Sequence, residues 1–412
     1  MKAQNSPNKI RTLLLEKPSF DLRKIYNTDL IQAQASEEKV KLLLIRDLFR
    51  LNWRKEISRK TLRIFPPIFY DKEIIKQSMS ISRKEILNKN KEWINKHIDL
   101  AQKNLAKGKD VLKSMILPRI ELCESQKQHD IFRILRYYWS SPYSEYIGRR
   151  IRLLIRDDGI DGSPVIGIAA IGSSIIHIPD RDEWVGWDKE TRTNNIIYTM
   201  DAYVLGALPP YNYLLGGKLI SYILASNEVR KIYEEKYKRR RTIIRRRKAN
   251  DCVCLFTTSL YGNGSQYNRL KFKNRLLYIP IGYTSGYGTL HISNETFVAM
   301  QQLLTENGYE IMNRFGDGPN WRMRVIRTAS EIIGFDSDSL LNHSFKRGIY
   351  AIPLAKNFRR FLLGRTNKPN YYNLPMQTLV KFWKQRWLSM RKRNNTVLET
   401  VSRFNPADFR IQ

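Results

Sequence analysis

The residues best equipped for chemistry lie between Asp180 and Lys218, in the run DRDEWVGWDKETRTNNIIYTMDAYVLGALPPYNYLLGGK. Asp180, Asp182, Glu183, Asp188 and Asp201 supply carboxylates. Two-metal phosphodiester cleavage needs such groups converging from separate elements, and Asp182 and Asp201 are the candidate catalytic pair. Asp201 sits inside the apolar run NIIYTMDAYVL. A buried aspartate there is costly unless paired. Arg181 and Arg192 are the nearest partners, and a structural ion pair is the competing reading. The five histidines, His97, His129, His177, His291 and His343, show no metal-ligand spacing. His291, in GTLHISNETF, is the candidate general base.

The same segment holds a pocket candidate. Pro209-Pro210 ends a strand, and Gly216-Gly217 opens an apolar helix. A helix start with free N–H groups cradles anions such as phosphate. Lys218 is followed by Leu219, so this is not a P-loop. Trp184, Trp187, Tyr211, Asn212, Gly216, Gly217 and Lys218 are expected to line the pocket. The competing reading is that the two glycines serve close helix–sheet packing.

Charge points to a polyanion. The chain of 412 residues has 72 Lys+Arg against 39 Asp+Glu, a formal charge of +33. A field of that sign draws in nucleic acid; charge does not choose between DNA and RNA, and DNA is the partner expected before RNA. A membrane surface or a plain solubility charge would also use it. Two segments concentrate it. Lys236 to Lys248, KYKRRRTIIRRRK, has nine basic residues in thirteen and no acid. Arg239, Arg240, Arg241, Arg245, Arg246, Arg247 and Lys248 are therefore candidate phosphate contacts. From Ser339 to Leu398 there is no Asp or Glu, and aromatics interleave the cations. Arg359, Arg360, Lys384 and Arg386 are candidates there, beside rings able to stack bases or to fill a core.

These groups need elements to position them. The expected fold class is α+β (mixed α/β): a helical N-terminal region over 1–139, a mixed-sheet core with flanking helices over 140–338, and a basic, acid-poor C-terminal region over 339–412. Glu37 to Lys55 and Ser82 to Lys107 have helical apolar spacing. Ser82 and Glu85 form a capping-box pattern, and Gly108 is a terminator. Asp130 to Trp139 is the docking segment to the core. Arg150 to Arg156 and Pro164 to Ile171, joined by DDGIDG, predict a hairpin. Ser174 to Ile178 predicts a third strand, and Asn195 to Leu205 a central one. A helix follows Gly217, then strands over Cys252 to Leu260 and Arg275 to Ile281, then helices over Glu295 to Leu304 and Arg322 to Ile333.

Membrane insertion is not expected, because no apolar run approaches the ~18–20 residues that span a bilayer. The N-terminus is too polar for a secretory signal. Cys123, Cys252 and Cys254 do not make a disulfide framework, so a reduced, cytoplasmic protein is expected. Cys252 and Cys254 are placed on one strand face. A Cys-x-Cys alone is a weak metal signal, and no metal site is assigned.

From Tyr138 to about Leu354 the chain resembles the Druantia anti-phage system protein A family. YYWSSPYSEYIGRRIRLLIRD, RDEWVGW, MDAYVLGALPPYNYLLGGK, TTSLYGNGSQYNRLK, GYTSGYGTLHI and GPNWRMRVIR occur in the family's order. LNHSFKRGIYAIPLA is looser. The resemblance implies a bacterial defence protein acting with other proteins of its system, a helicase among them. The strand–Pro–Gly–helix core is similar to the acetyl-coenzyme A (GNAT-like) transferase fold, where a helix N-terminus holds pyrophosphate. Tyr213 to Lys218 lacks that fold's spaced-glycine signature.

Three functions follow. The leading one is a nucleic-acid-binding component of an anti-phage system. The second is an enzyme at the Asp180–Lys218 pocket, a metal-dependent DNA nuclease or nickase, or a GNAT-like transferase. The third is a basic scaffold docking an acidic partner. No cofactor is assigned.

Overall fold

The computed structural model describes residues 13–16, 26–57, 61–66, 72–142, 148–242, 246–262, 264–289, 291–310, 319–343 and 345–411. The chain forms two compact units that cut across the boundaries read from the sequence. One comprises Met1–Lys89, Ser140–Pro142 and Ser285–Lys346. The other comprises Asn90–Trp139, Tyr143–Thr284 and Arg347–Gln412. The expected α+β class holds.

The second unit is built on a seven-stranded mixed sheet. Its order is Ile279–Tyr283, Gly348–Pro353, Cys254–Ser259, Thr199–Ala207, Val165–Ser173, Arg150–Asp157, Pro118–Leu122. All neighbours are antiparallel except Thr199–Ala207 with Cys254–Ser259, which run parallel. The expected hairpin forms, with Ile151 opposite Ile171. The Thr199–Ala207 strand is the middle of the seven, as its apolar composition on both faces required. A parallel pair needs a crossover. The helices Gly216–Leu224 and Asn227–Tyr237 supply it.

Each face of the sheet has its own core. Met200, Ala202, Leu255, Tyr350 and Ile352 join one cluster, with Tyr211, Leu219, Ile220, Ile223, Leu379 and Trp383 from the covering helices. Cys254, Phe256 and Ala351 alternate to the other cluster, with Val185, Trp187, Phe361 and Leu362. Successive strand residues point to opposite faces, which is why neighbours divide between the clusters. Cys252 precedes the strand and joins the first cluster, whereas Cys254 joins the second. The two thiols therefore do not share a face.

Other expectations need correction. The N-terminal region is not wholly helical. Leu13–Glu16, Thr61–Phe65 and Arg54–Ile57 form a small antiparallel sheet, and Pro118–Leu122 is an edge of the large one. The helix expected to Lys55 is Ser36–Arg50. Ser82 caps nothing, because the Lys72–Lys89 helix starts upstream, with Ile75 and Met79 extending its buried stripe. Glu85 instead accepts the backbone N–H of Asn294 at 3.0 Å. Gly108 opens the Gly108–Lys113 helix rather than ending one. The acid-poor C-terminal region contributes the buried strand Gly348–Pro353. No described helix is long and apolar enough to cross a membrane.

Candidate functional site

The Pro179–Val185 helix, with proline at its first turn, lays Arg181 and Asp182 against the second cluster. Arg181 is fully buried. Its Nε and Nη2 donate to Asp182 Oδ1 at 2.9 and 2.6 Å. Its Nη1 donates to the Ile175 carbonyl at 2.6 Å, and Nη2 to the Ile176 carbonyl at 3.2 Å. The Trp187 and Phe256 rings lie 5.6 Å from the guanidinium. Asp182 Oδ2 accepts from Arg192 Nη1 at 2.9 Å and stands 2.8 Å from His177 Nδ1.

Asp201 points to this same side, between Met200 and Ala202, which point to the other. Its Oδ2 accepts the Ile175 N–H at 2.8 Å, while Oδ1 is buried with no geometric hydrogen bond among the described residues, although the Ser174 side chain lies near enough to favour the carboxylate. Burial pushes its carboxyl up to about 6, against the hydrogen bond from Ile175 and the charge of Arg181. Burying an ion costs on the order of several kcal/mol unless a well-placed partner and hydrogen bonds offset it. Here those bonds fix one short segment. The third strand expected at Ser174–Ile178 is absent, since the Ile175 and Ile176 backbone groups are taken by Arg181 and Asp201. The segment instead presents Ile176, 72% exposed, and the half-exposed His177 ring.

The candidate catalytic residues are thus separated in role. Asp182 is ion-paired with Arg181 and Arg192, whereas Asp201 feels the charge of Arg181 without pairing with it. Asp180 accepts the Tyr283 N–H at 2.8 Å. Gly282, at φ +137°, is required there, because a Cβ would stand 2.3 Å from Asp180 Oδ2. Asp188 caps the Lys189–Asn195 helix through Thr191, and Glu183 is exposed. Among the described residues no three His, Cys, Asp or Glu side chains gather as a metal site. His291 belongs to the other unit. It is buried, with Nε2 2.8 Å from the Leu340 carbonyl, and burial lowers it to about 4. His177 is the histidine that sequence reasoning passed over. Its only signal was an Asp five residues on.

The seven pocket residues do not line one cavity. Trp184 and Trp187 belong to the second cluster, where Trp187 Nε1 donates to the Leu362 carbonyl at 2.8 Å. Tyr211 belongs to the first, and its hydroxyl donates to Asp157 Oδ2 at 2.9 Å. Asn212 turns inward to its own chain, accepting the Tyr213 N–H at 2.9 Å. Lys218 is buried, which lowers its pKa, and Nζ donates to the Ser265 carbonyl at 2.6 Å. A Cβ at Gly216 would lie 2.6 Å from the Tyr211 carbonyl oxygen, and one at Gly217 3.0 Å from the Gln266 side chain. The glycines serve close packing.

The basic residues fall into two groups. Arg239, Arg240, Arg241, Arg246 and Lys248 are exposed; Arg247 is half-buried, and Arg245 lies outside the described residues. Arg241 and Lys248 are bridged across the loop. Arg247 Nη1 donates to the carbonyls of Thr193, at 3.3 Å, and Asn194. That ties the loop to the Lys189–Asn195 helix. Asn195 of the same helix donates to the Leu362 carbonyl at 3.0 Å, which brings in the Phe358–Leu362 helix with exposed Arg359 and Arg360. Arg359 lies over Trp184 at 4.6 Å. Lys384 and Arg386 lie elsewhere, on a π-helical turn, Lys384–Leu388, beside the first cluster. The aromatics of that segment divide too. Trp383 is core, donating to the Leu215 carbonyl at 3.2 Å, while Trp387 is half-buried.

The arrangement defines a mixed-sheet α+β protein with a buried ionic centre and a basic rim. The family model for Druantia protein DruA matches residues 70–364, and the chain belongs to that family. The Druantia protein DruA of Escherichia coli (strain UMEA 4076-1) is 34% identical over 329 residues, covering 79% of this chain and 81% of the relative. The match reaches well upstream of Tyr138, where the motifs begin. No solved structure matches.

Proposed function

We propose that this chain is the nucleic-acid-binding component of a Druantia anti-phage system, with DNA as the polyanion and other proteins of the system, a helicase among them, as partners. Family membership supports the system. One observation carries the binding: the exposed cations of the Arg239–Lys248 loop are joined, through Arg247 and the Lys189–Asn195 helix, to the helix bearing Arg359 and Arg360. Among the described residues no carboxylate pairs with Arg239, Arg240, Arg241, Arg246, Arg359 or Arg360. Unpaired exposed cations on adjoining elements track a phosphate backbone and release its counterions. The test is fluorescence anisotropy with labelled single-stranded and duplex DNA across a salt series. A steep log–log fall in affinity is expected; a slope near zero would leave the basic-scaffold reading in its place.

A second reading has one observation in its favour. The parallel pair Thr199–Ala207 and Cys254–Ser259, bridged by a helix starting at Gly216, supports likeness to the acyltransferase fold. The walled glycines weigh against phosphate at that helix start. Acetyl-coenzyme A that raises the melting temperature would favour transfer; no shift would count against it.

A further inference from the structure

A shallow depression of about 350 Å³ opens on the second unit, lined by Leu215, Arg386, Trp387, Met390, Arg391 and Asn394. Two backbone irregularities meet at it. Leu215 holds a left-handed conformation, φ +61°, which is unfavourable for a non-glycine residue. The Lys384–Leu388 turn is π-helical, and such turns occur mostly as single insertions, frequently at functional sites. Both are held by packing: Trp383 Nε1 donates to the Leu215 carbonyl at 3.2 Å and Trp387 Nε1 to Tyr222 Oη at 3.3 Å.

The lining chemistry is specific. Arg386 is exposed. Arg391 uses Nε on the Tyr213 carbonyl at 2.8 Å, which leaves its terminal nitrogens for a ligand. Arginine forks suit phosphate oxygens. Met390, 60% exposed, offers polarizable surface to a flat ring, beside the half-buried Trp387 indole, over whose ring Lys218 Nζ already stands at 4.5 Å and the Arg386 guanidinium at 5.6 Å. The Asn394 amide can donate to and accept from a base edge, although its Oδ1 already caps the Asn395–Arg403 helix at Val397. None of the six lining residues is acidic.

We propose that this depression binds one nucleotide unit, with its base against Trp387 and Met390 and its phosphate on Arg386 and Arg391. The inference rests on the nucleic-acid reading where the nucleotide belongs to a strand; a free nucleotide offers the same chemistry.

The test is photocrosslinking of the full chain to a thymidine oligonucleotide carrying iododeoxyuridine, with peptide mapping and anisotropy on the same sample. Crosslinks are expected within residues 384–394, and R386E with M390A should cut their yield about tenfold. Excess ADP that abolishes them identifies a free nucleotide as the ligand, and ADP without effect identifies the strand. Full oligonucleotide binding with crosslinks only elsewhere overturns the site while the nucleic-acid reading stands. No oligonucleotide binding at low salt overturns that reading instead. A titration with the fluorescent analogue TNP-ADP then decides the depression: a signal lost in R386E upholds it, and no signal overturns it.

Discussion

Arg181 grips Asp182, the next residue in the chain, through two nitrogens at 2.9 and 2.6 Å, and no part of its side chain reaches solvent. The same guanidinium holds the carbonyls of Ile175 and Ile176. Removing one partner of a buried ion pair leaves an uncompensated charge, at a cost of about 3–5 kcal/mol. Arg181→Met should therefore lower stability by that order in urea unfolding. Arg181→Lys should recover little, because an ammonium cannot reproduce the fork. Near-full recovery by lysine would show that charge alone matters there.

Asp201 makes a pH-dependent contribution of known sign. Its folded carboxyl sits at about 6, above the ~3.9 of an unfolded chain. Folded protein then holds the extra proton between those values, so stability from this group is present below pH ~4 and is lost as pH rises through ~6. Asp201→Asn keeps an acceptor for the Ile175 N–H and cannot ionise. The variant should gain on the wild type by about 2 kcal/mol between pH 4 and 7. A stability difference that stays flat over that range would show the carboxylate to be satisfied. His291 has the opposite slope: burial lowers it to about 4, so its contribution is lost as pH falls from ~6.5. The comparison must therefore be wild type against variant, not a single pH profile.

The glycine pair separates packing from anion binding. A Cβ at Gly216 meets a backbone carbonyl oxygen at 2.6 Å and Ala207 Cβ at 2.8 Å, neither of which can swing away. A Cβ at Gly217 meets the Gln266 side chain at 3.0 Å, which can rotate. Gly216→Ala should cost about 1–3 kcal/mol and Gly217→Ala clearly less. Equal stabilities with weakened phosphate binding in both variants would restore the anion cradle.

Much of the fold was legible because it rests on local patterns. RIRLLIR and PVIGIAAI around DDGIDG specify a hairpin by alternation and turn residues, and MDAYVLGA reads as central because it is apolar on both faces. The ionic centre was half legible. Burial of Asp201 beside Arg181 follows from an acid within an apolar run. That Arg181 would bind two carbonyls of a preceding loop, and bring His177 to Asp182, depends on the path of that loop, which periodicity does not encode. The pocket failed for a related reason. Trp187 and Tyr211 are close in sequence, but the intervening Thr199–Ala207 strand passes between two cores, so its flanking residues end on opposite faces. Gly348–Pro353 was hidden by its acid-free surroundings, in which Lys346 and Lys356 are exposed on either side of a buried strand.

The basic loop permits the most discriminating measurement. Each phosphate contact contributes about 0.9 to the salt slope on duplex DNA and about 0.7 on a single strand. Replacing exposed Arg239, Arg240 and Arg241 together by Ala should lower a duplex slope by about 2–3 and weaken every sequence alike. These side chains lie outside both core clusters, so the melting temperature should hold. Arg247→Ala is the informative contrast. Its guanidinium is engaged with the Thr193 and Asn194 carbonyls, so it positions the loop. Affinity should fall while the slope changes by less than one contact's worth, because the loop's other cations remain able to reach phosphate. A slope loss for Arg247→Ala matching that per contact would place Arg247 on the backbone itself and detach the loop from its anchor on the Lys189–Asn195 helix.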